Sequence, residues 1–177
     1  MHIIRACNIV GSIIMSNKSL KYLSLQGCVI NNCGSRHIIE ATAKSNIMDS
    51  LNLSCNFVTD DFLRYLSISF HSEPSKKMLY LDLIENEFTN KGLNAYMEVI
   101  PQVLLIRFSN VRVDSSVIAK MRKIVENSDV IGVFMVTTHK CSAMYGLKVC
   151  VSSMEACSKY IFDKNRFVLR RNKRYRG

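Results

Sequence analysis

The sequence predicts an α/β protein in which about five similar units stack into a short solenoid, with parallel strands on its concave side and helices on its convex side. The segment Met78–Phe88, MLYLDLIENEF, has apolar residues at positions one, four, six and eleven and an asparagine at position nine. This frame begins anew at residues 20, 48, 78, 103 and 130, at intervals of 28, 30, 25 and 27 residues. Apolar residues at helical spacing follow it in each of the first four units. Because one strand and one helix cannot bury their apolar faces alone, the recurrence indicates a core built by stacking.

The first half of the chain supplies a possible end helix and two full units. Residues 1–19 are predicted to form the helix of a partial repeat or an N-terminal cap, since apolar residues recur there at roughly helical spacing. The first full unit has Cys28 where the frame has asparagine, and a short amphipathic helix that ends near Asn46 follows it. The second unit leads into a helix that Thr59 is predicted to cap. The frame residues of these two units are Leu20, Leu23, Leu25, Cys28, Ile30, Met48, Leu51, Leu53, Asn56 and Val58.

The second half of the chain departs gradually from the frame. The fourth unit starts at Val103 and has Val111 in the asparagine position, and a fifth strand from Val130 keeps only the first half of the frame. The predicted organisation is a partial repeat or cap, the repeats, a capping segment and a basic tail, at residues 1–19, 20–136, 137–169 and 170–177.

The net charge of +10 is concentrated near the end of the chain. Residues 159–177 hold eight Lys or Arg and one Asp, a net +7, which leaves 10 − 7 = +3 for the first 158 residues. Such a tail attracts phosphates, acidic protein surfaces or an anionic membrane face, although many charged tails only keep a protein soluble. The tail residues considered for binding are Arg170, Arg171, Lys173, Arg174 and Arg176.

Seven cysteines occur without any C-x-x-C spacing, which favours small buried side chains in a reducing compartment over a disulfide framework. We therefore expect a cytoplasmic protein, with the nucleus as the alternative. The apolar N-terminal run resembles a signal peptide, but Arg5 and Asn8 interrupt it and no clear small-residue cleavage site follows. No stretch approaches the ~18 uninterrupted apolar residues that a membrane-spanning helix needs.

Two segments, SLKYLSLQGCVINNCGSRHIIEATAKSN and MLYLDLIENEFTNKGLNAYMEVI, resemble the ribonuclease-inhibitor-like class of leucine-rich repeat proteins. In that class a strand leads to an asparagine or cysteine and then, through a T-x-x-G sequence, into an α-helix. The second unit is similar, with Asp61 where glycine is usual, and the resemblance covers about residues 20–135. It implies a protein-binding scaffold, since members include ribonuclease inhibitors, innate immune receptor repeats, a class of Ran GTPase activators and actin-capping tropomodulins. We also expect Asn56 and Asn86 to hydrogen-bond the backbone of neighbouring turns, a role that Cys28 fills only weakly.

Strand positions three, five and seven are predicted to face the concave side, because side chains alternate along a strand. Along the array this face changes from polar to apolar, ending in a patch that a soluble monomer seldom leaves uncovered. One interpretation is a partner-binding surface with Tyr80 and Arg107 as anchors, since aromatic residues and arginine dominate interface energetics. The other is that residues 141–169 fold back over Phe134 and Val136 as a cap. The predicted partner-binding residues are Tyr22, Gln26, Asn52, Tyr80, Asp82, Ile84, Leu105 and Arg107.

Catalytic motifs are absent from the sequence. The phosphate-binding, dinucleotide-binding and nucleophile-elbow patterns do not occur. His139 and Cys141 are the His/Cys pair with the shortest separation in the sequence, whereas a zinc site needs four ligands at recognisable spacing. We therefore expect no enzymatic activity, no cofactor and no metal.

The sequence thus predicts an intracellular scaffold that binds a protein partner of unknown identity on the concave face of its repeats. Two alternatives stay open. One is electrostatic binding of nucleic acid or acidic surfaces through the tail, and the other is a cytoskeletal capping role of the tropomodulin kind. The chain also fits a fragment of a larger repeat protein.

Overall fold

The computed structural model describes residues 2–76, 78–98, 102–109, 114–127, 132–136 and 149–150 of the chain. Helices and strands alternate along it, which confirms the predicted mixed α/β architecture. Their bounds are α1 His2–Ser16, β1 Tyr22–Ser24, α2 Asn32–Lys44, β2 Ser50–Asn52, α3 Asp60–His71, β3 Met78–Leu83, α4 Asn90–Tyr96, β4 Val103–Ser109, α5 Ser115–Glu126, β5 Gly132–Val136 and β6 Val149–Cys150. Within the described ranges, none of the helices has both the length and the hydrophobicity that a bilayer crossing requires.

The strands form one six-stranded sheet whose spatial order follows the chain from β1 to β6. Strands β1 to β5 run parallel, and the register aligns the equivalent frame residues Leu23, Leu51, Leu81 and Ile106. The short β6 pairs antiparallel with β5, which the sequence does not predict. Equivalent positions of successive units therefore lie side by side across the sheet.

The core runs through the whole array between the strands and the helices. Frame positions one, four and six are fully buried in the second, third and fourth units, at Met48, Leu51, Leu53, Met78, Leu81, Leu83, Val103, Ile106 and Phe108. The Phe108 ring lies edge-on to Phe88 and Tyr96, with centroids 5.4 and 5.7 Å away. Since burying one large apolar side chain contributes about 1.5–3 kcal/mol, stacking of the units supplies most of the stability.

Asn56 and Asn86 form the predicted asparagine ladder between units. Asn56 Oδ1 accepts from the Ile30 backbone N–H at 2.9 Å, and its Nδ2 donates to the Leu25 carbonyl at 2.9 Å, so one side chain joins the preceding unit twice. Asn86 repeats both contacts one unit later, at 3.1 and 2.8 Å. Cys28 holds the same position in the first unit, where it is exposed and contacts its own loop.

A second ladder, which the sequence does not predict, joins the starts of the helices. The first residues of α2, α3 and α4 each accept a hydrogen bond from the backbone N–H just before the next helix: Asn32 from Thr59 at 2.9 Å, Asp60 from Thr89 at 2.7 Å, and Asn90 from Asp114 at 3.2 Å. We call Asn32, Asp60 and Asn90 the helix-start ladder. Thr59 is the N-cap of α3 as predicted, but its hydroxyl accepts from Asn32 Nδ2 at 2.8 Å and does not cap its own helix.

Gly34 and Gly92, in the sequences Asn31-x-x-Gly34 and Thr89-x-x-Gly92, sit where adjacent helices approach closely. A Cβ added at Gly34 would lie 2.7 Å from Cys7 Sγ, and one at Gly92 would collide with the Asp60 carboxylate. Gly34 and Gly92 are each the third residue after the N-cap. The expectation that Asp61 takes the glycine position is wrong, because the third residue after Thr59 is the buried Phe62.

Candidate functional site

The predicted concave face is made of side chains that the sheet register aligns in rows. Position three places Tyr80 between Ser50 and Leu105, and position five places Asp82 between Asn52 and Arg107. The alignment of these rows agrees with the prediction. The accessibility of several of the side chains differs from the prediction.

Tyr80, Asp82 and Arg107 form a hydrogen-bonded cluster across β3 and β4. The Tyr80 hydroxyl donates to Asp82 Oδ2 at 2.6 Å, while Arg107 Nη1 lies 3.1 Å from both Asp82 Oδ2 and the Tyr80 hydroxyl. Only 2% of Tyr80 is exposed and Asp82 is also buried, whereas 30% of the Arg107 side chain stays accessible. The structure therefore corrects the expectations that Tyr80 is an exposed anchor and that Asp82 is open to a partner. Adjacent parallel strands lie about 4.8 Å apart, which lets side chains in one row pair and bury each other.

The electrostatics of this cluster follow from burial. Removal from water raises the pKa of Tyr80 well above its ordinary value, the neighbouring Asp82 carboxylate raises it further, and Arg107 opposes both. The phenol therefore keeps its proton, and its O–H group donates a hydrogen bond to the Asp82 carboxylate. The positive charge of Arg107 balances the negative charge of the Asp82 carboxylate, so the cluster has no net charge. Its hydrogen bonds join β3 to β4. The exposed part of the Arg107 side chain is what the cluster presents to a partner.

Asn52 is buried as well and shapes the backbone. Its Oδ1 accepts from the Ser54 backbone N–H at 2.9 Å and from the Ser54 hydroxyl at 2.7 Å. One unit later, Asp82 Oδ1 accepts in the same way from the Ile84 backbone N–H at 3.1 Å. Both side chains thus build an Asx turn at the end of a strand. The expectation that Asn52 is open to a partner is corrected accordingly.

Among the predicted binding residues whose accessibility the structure describes, the exposed ones lie in the first unit. Tyr22 and Gln26 are exposed, and Ile84 is half-buried. The Gln26 amide nitrogen lies 3.7 Å from Cys55 Sγ, which joins the first and second units at this surface. Leu105 lies in β4 beside Tyr80 in the ladder, and its contribution to partner binding stays a prediction, as do those of the other residues.

Val29 and Phe57 form an exposed apolar pair that the repeat frame does not predict; we call them the loop-edge pair. They directly follow the ladder positions Cys28 and Asn56 and are 62% and 64% exposed. The Phe57 backbone N–H donates to the Ile30 carbonyl at 2.8 Å, which fixes the two loops side by side. Val29 has a φ of 59°, a left-handed conformation that is costly for a β-branched residue. An apolar residue just after the ladder position is the sequence signal for this surface.

The predicted tail residues lie outside the described ranges, as do His139 and Cys141, which the sequence analysis does not assign to a metal site. The tail residues are Arg170, Arg171, Lys173, Arg174 and Arg176. Among the residues that are described, no three His, Cys, Asp or Glu side chains are grouped to hold a metal ion.

The fold of this chain is similar to the folds of solved protein structures. No family model and no curated protein sequence matches the chain. The structure of leiomodin-1 actin-binding site 2 matches with a TM-score of 0.62, covering 75% of this chain and 79% of that one at 15% identity. The tropomodulin C-terminal domain of Caenorhabditis elegans matches with a TM-score of 0.58, covering 88% of this chain and 87% of that one at 16% identity. The similarity is one of fold.

Both matched domains are leucine-rich-repeat-like, and both are matched over most of their length. The resemblance to leucine-rich repeat proteins is therefore supported at the level of architecture. At such low identities no residue role is carried over from either domain. The site must be judged from the exposed side chains of this chain.

Proposed function

We propose that this chain is an intracellular, non-catalytic protein-interaction module, built as a leucine-rich repeat solenoid of about five units, and that its partner is actin. The observation that carries the proposal is the similarity in fold to leiomodin-1 actin-binding site 2. The tropomodulin domain adds support for a cytoskeletal role. This proposal favours the cytoskeletal alternative over a partner of unknown class, and a cytoplasmic location follows from it.

The mechanism is rigid presentation of a preformed surface. The asparagine ladder and the helix-start ladder tie the first four units to one another through side-chain bonds to the backbone. A surface that is already ordered loses little conformational entropy on binding. Modest contacts then suffice for useful affinity.

The contact surface that we propose is centred on the loop-edge pair, Val29 and Phe57. Gln26 reaches the second unit through Cys55, two residues before Phe57, so a polar side chain borders the apolar pair. Tyr22 continues the exposed surface along β1. An apolar centre with a polar border is the usual anatomy of a protein interface.

Cosedimentation with filamentous actin tests the proposal. The variant Val29→Ser/Phe57→Ser removes the exposed apolar pair, and Ile68→Ser is the matched control because Ile68 is 68% exposed on α3. We expect the double variant to bind at least about tenfold more weakly and the control to bind like the original chain. If the original chain stays in the supernatant, actin is the wrong partner. If the double variant pellets normally, the loop-edge pair is the wrong surface.

A capping role and a side-binding role differ in stoichiometry. A capping protein slows filament elongation when it is present at a small fraction of the actin concentration, because filament ends are few. A side-binding protein at the same ratio leaves elongation nearly unchanged. Elongation from preformed filament seeds therefore distinguishes the two.

A further inference from the structure

Phe57 is a large apolar side chain that stays exposed in the interior of the array. Its backbone N–H donates to the Ile30 carbonyl of the first unit at 2.8 Å. On its other side, the Glu87 backbone N–H of the third unit donates to the Val58 carbonyl at 3.1 Å. Loops of two neighbouring units are therefore bonded beside Phe57, and 64% of the residue is still accessible. Its exposure does not arise from a position at the end of the array.

The loop position that Phe57 occupies changes from apolar to acidic along the array. Phe57 and Glu87 bond to the preceding unit in the same way, so Val29, Phe57 and Glu87 are equivalent residues of the first three units. Two residues earlier, Cys55 and Glu85 share a φ of 56°, which shows that the two loops follow the same course. Glu85 and Glu87 are both exposed. Because neighbouring strands lie about 4.8 Å apart, a carboxylate lies one unit away from the Phe57 ring.

The loops that lead from the strands into α2, α3 and α4 are acidic. Residues 25–31, 53–59 and 84–89 contain two glutamates and no Lys, Arg or His. The first turns of the three helices add three charged residues, so that the charged set is Glu85, Glu87, Asp60, Asp61 and Lys91. Four acidic residues and one basic residue give a net charge of −3, whereas the first 158 residues together carry +3. A basic segment is complementary to this local charge, and an acidic segment is repelled by it.

We infer that the loop-edge pair together with Glu87 binds a basic, apolar segment of the partner, which rests on the proposed function for the contact surface but not for actin as the partner. Apolar side chains of that segment cover Val29 and Phe57, and an adjacent arginine or lysine pairs with Glu87. Burial of the apolar side chains supplies affinity. The neighbouring opposite charges fix the direction of the segment and exclude acidic sequences.

Short labelled synthetic peptides and fluorescence anisotropy test this chemistry. The probe has leucines followed by arginines in an otherwise glycine and serine sequence. Its first control has glutamates in place of the arginines, and its second has serines in place of the leucines. We expect the probe to bind the full chain and both controls to bind at least about tenfold more weakly. Absence of binding by the probe, or equal binding by either control, overturns the inference.

Two variants locate the probe on the chain. Glu87→Lys reverses the charge beside Phe57 and keeps the backbone bond, and Glu73→Lys is its control beyond the far end of α3, about 18 Å away at ~1.5 Å per helical residue. Phe57→Ser removes the ring, and Ile68→Ser is its control at an exposed position of α3. We expect Glu87→Lys and Phe57→Ser to weaken probe binding at least about tenfold, and both controls to leave it within about twofold. Unchanged binding by Glu87→Lys overturns the inference.

Actin binding and probe binding can fail separately. If the probe binds while actin stays in the supernatant, the basic, apolar character of the segment is supported and actin is the wrong partner. If Val29→Ser/Phe57→Ser loses actin while Glu87→Lys binds both actin and probe normally, the function stands and the charge requirement is overturned. Probe binding that appears only after deletion of residues 169–177 would show that the tail of the chain itself occupies this surface, which overturns a partner segment.

Discussion

Arg107 on β4 reaches across to Asp82 on β3, with Nη1 and Oδ2 3.1 Å apart, so that a partly exposed cation holds a buried carboxylate. The Tyr80 hydroxyl donates to the same oxygen. Two neighbouring units are therefore joined by charge as well as by their apolar frame residues. We therefore expect these residues, which the sequence predicts to bind a partner, to stabilise the fold.

Replacing the arginine should destabilise the protein. Arg107→Ala leaves the Asp82 carboxylate buried without its cation, and we expect a loss of about 1–3 kcal/mol in unfolding free energy, below the usual cost because Arg107 is partly solvated. Urea denaturation measures the loss. A double-mutant cycle with Asp82→Asn should show coupling between the two changes. Strictly additive effects would show that the ion pair contributes nothing.

Alkaline pH should destabilise the protein through two buried tyrosines. Burial raises the pKa of Tyr80 and of Tyr96, so both keep their protons in the folded state while unfolded tyrosines ionise near pH ~10. The folded state then binds more protons than the unfolded state above pH ~10, so the stability that these two tyrosines contribute is fully present below pH ~10 and is lost as the pH rises further. Urea denaturation at a series of pH values should show this fall, and Tyr80→Phe should reduce its slope.

Removing one buried hydroxyl should stabilise the protein. The Tyr96 ring is fully buried and its hydroxyl makes no hydrogen bond to any residue that the structure describes. Tyr96→Phe keeps the edge-on packing against Phe108 and removes a desolvated polar group, so we expect a gain of about 1–2 kcal/mol. Thermal unfolding of the variant and the original chain measures this gain in stability. A lower melting temperature would mean that the hydroxyl has a stabilising role.

The helix-start ladder can be tested with two adjacent aspartates. Asp60 accepts from both the backbone N–H and the hydroxyl of Thr89, whereas the exposed Asp61 only approaches Arg64 at 3.6 Å. We expect Asp60→Ala to cost about 1–3 kcal/mol and Asp61→Ala less than about 0.5 kcal/mol. Equal effects would show that Asp60 acts only as a first-turn acidic residue.

The predicted electrostatic role of the basic tail can be tested separately. Deleting residues 169–177 removes five of the eight basic residues at the end of the chain. If the tail binds nucleic acid, retention of the complete chain on a DNA column should fall steeply with salt, and the deletion should remove most of that slope. Identical elution of both chains would exclude this function.

Local spacing explains what the sequence predicted well. Frame residues, helices and the asparagine ladder depend on residues a few positions apart, so one unit repeated several times was sufficient to identify them. The accessibility of side chains could not be predicted in this way. The alternation of side chains along a strand shows on which face of the sheet Tyr80 lies, but not which side chains pack beside it. One signal could have predicted the burial of Tyr80. Position five of two adjacent units holds opposite charges, at Asp82 and Arg107.

The helix-start ladder could not be recognised in the same way. An asparagine or aspartate directly after an N-cap is common in the first turn of any helix. Asn32, Asp60 and Asn90 gain their special role only when the next unit places a backbone N–H against them. Recurrence at the repeat interval was visible, but ordinary helix chemistry already explained each residue.

The two ladders also determine how the array responds to bending. One row of side-chain-to-backbone bonds follows the ends of the strands, and the other follows the starts of the helices. Bending one unit against the next would have to lengthen or break bonds in these rows, so we expect the bonded units to move as one stiff body rather than as a hinged stack. In the proposed complex, a partner would then adapt its own shape on binding while the units of this chain keep their arrangement.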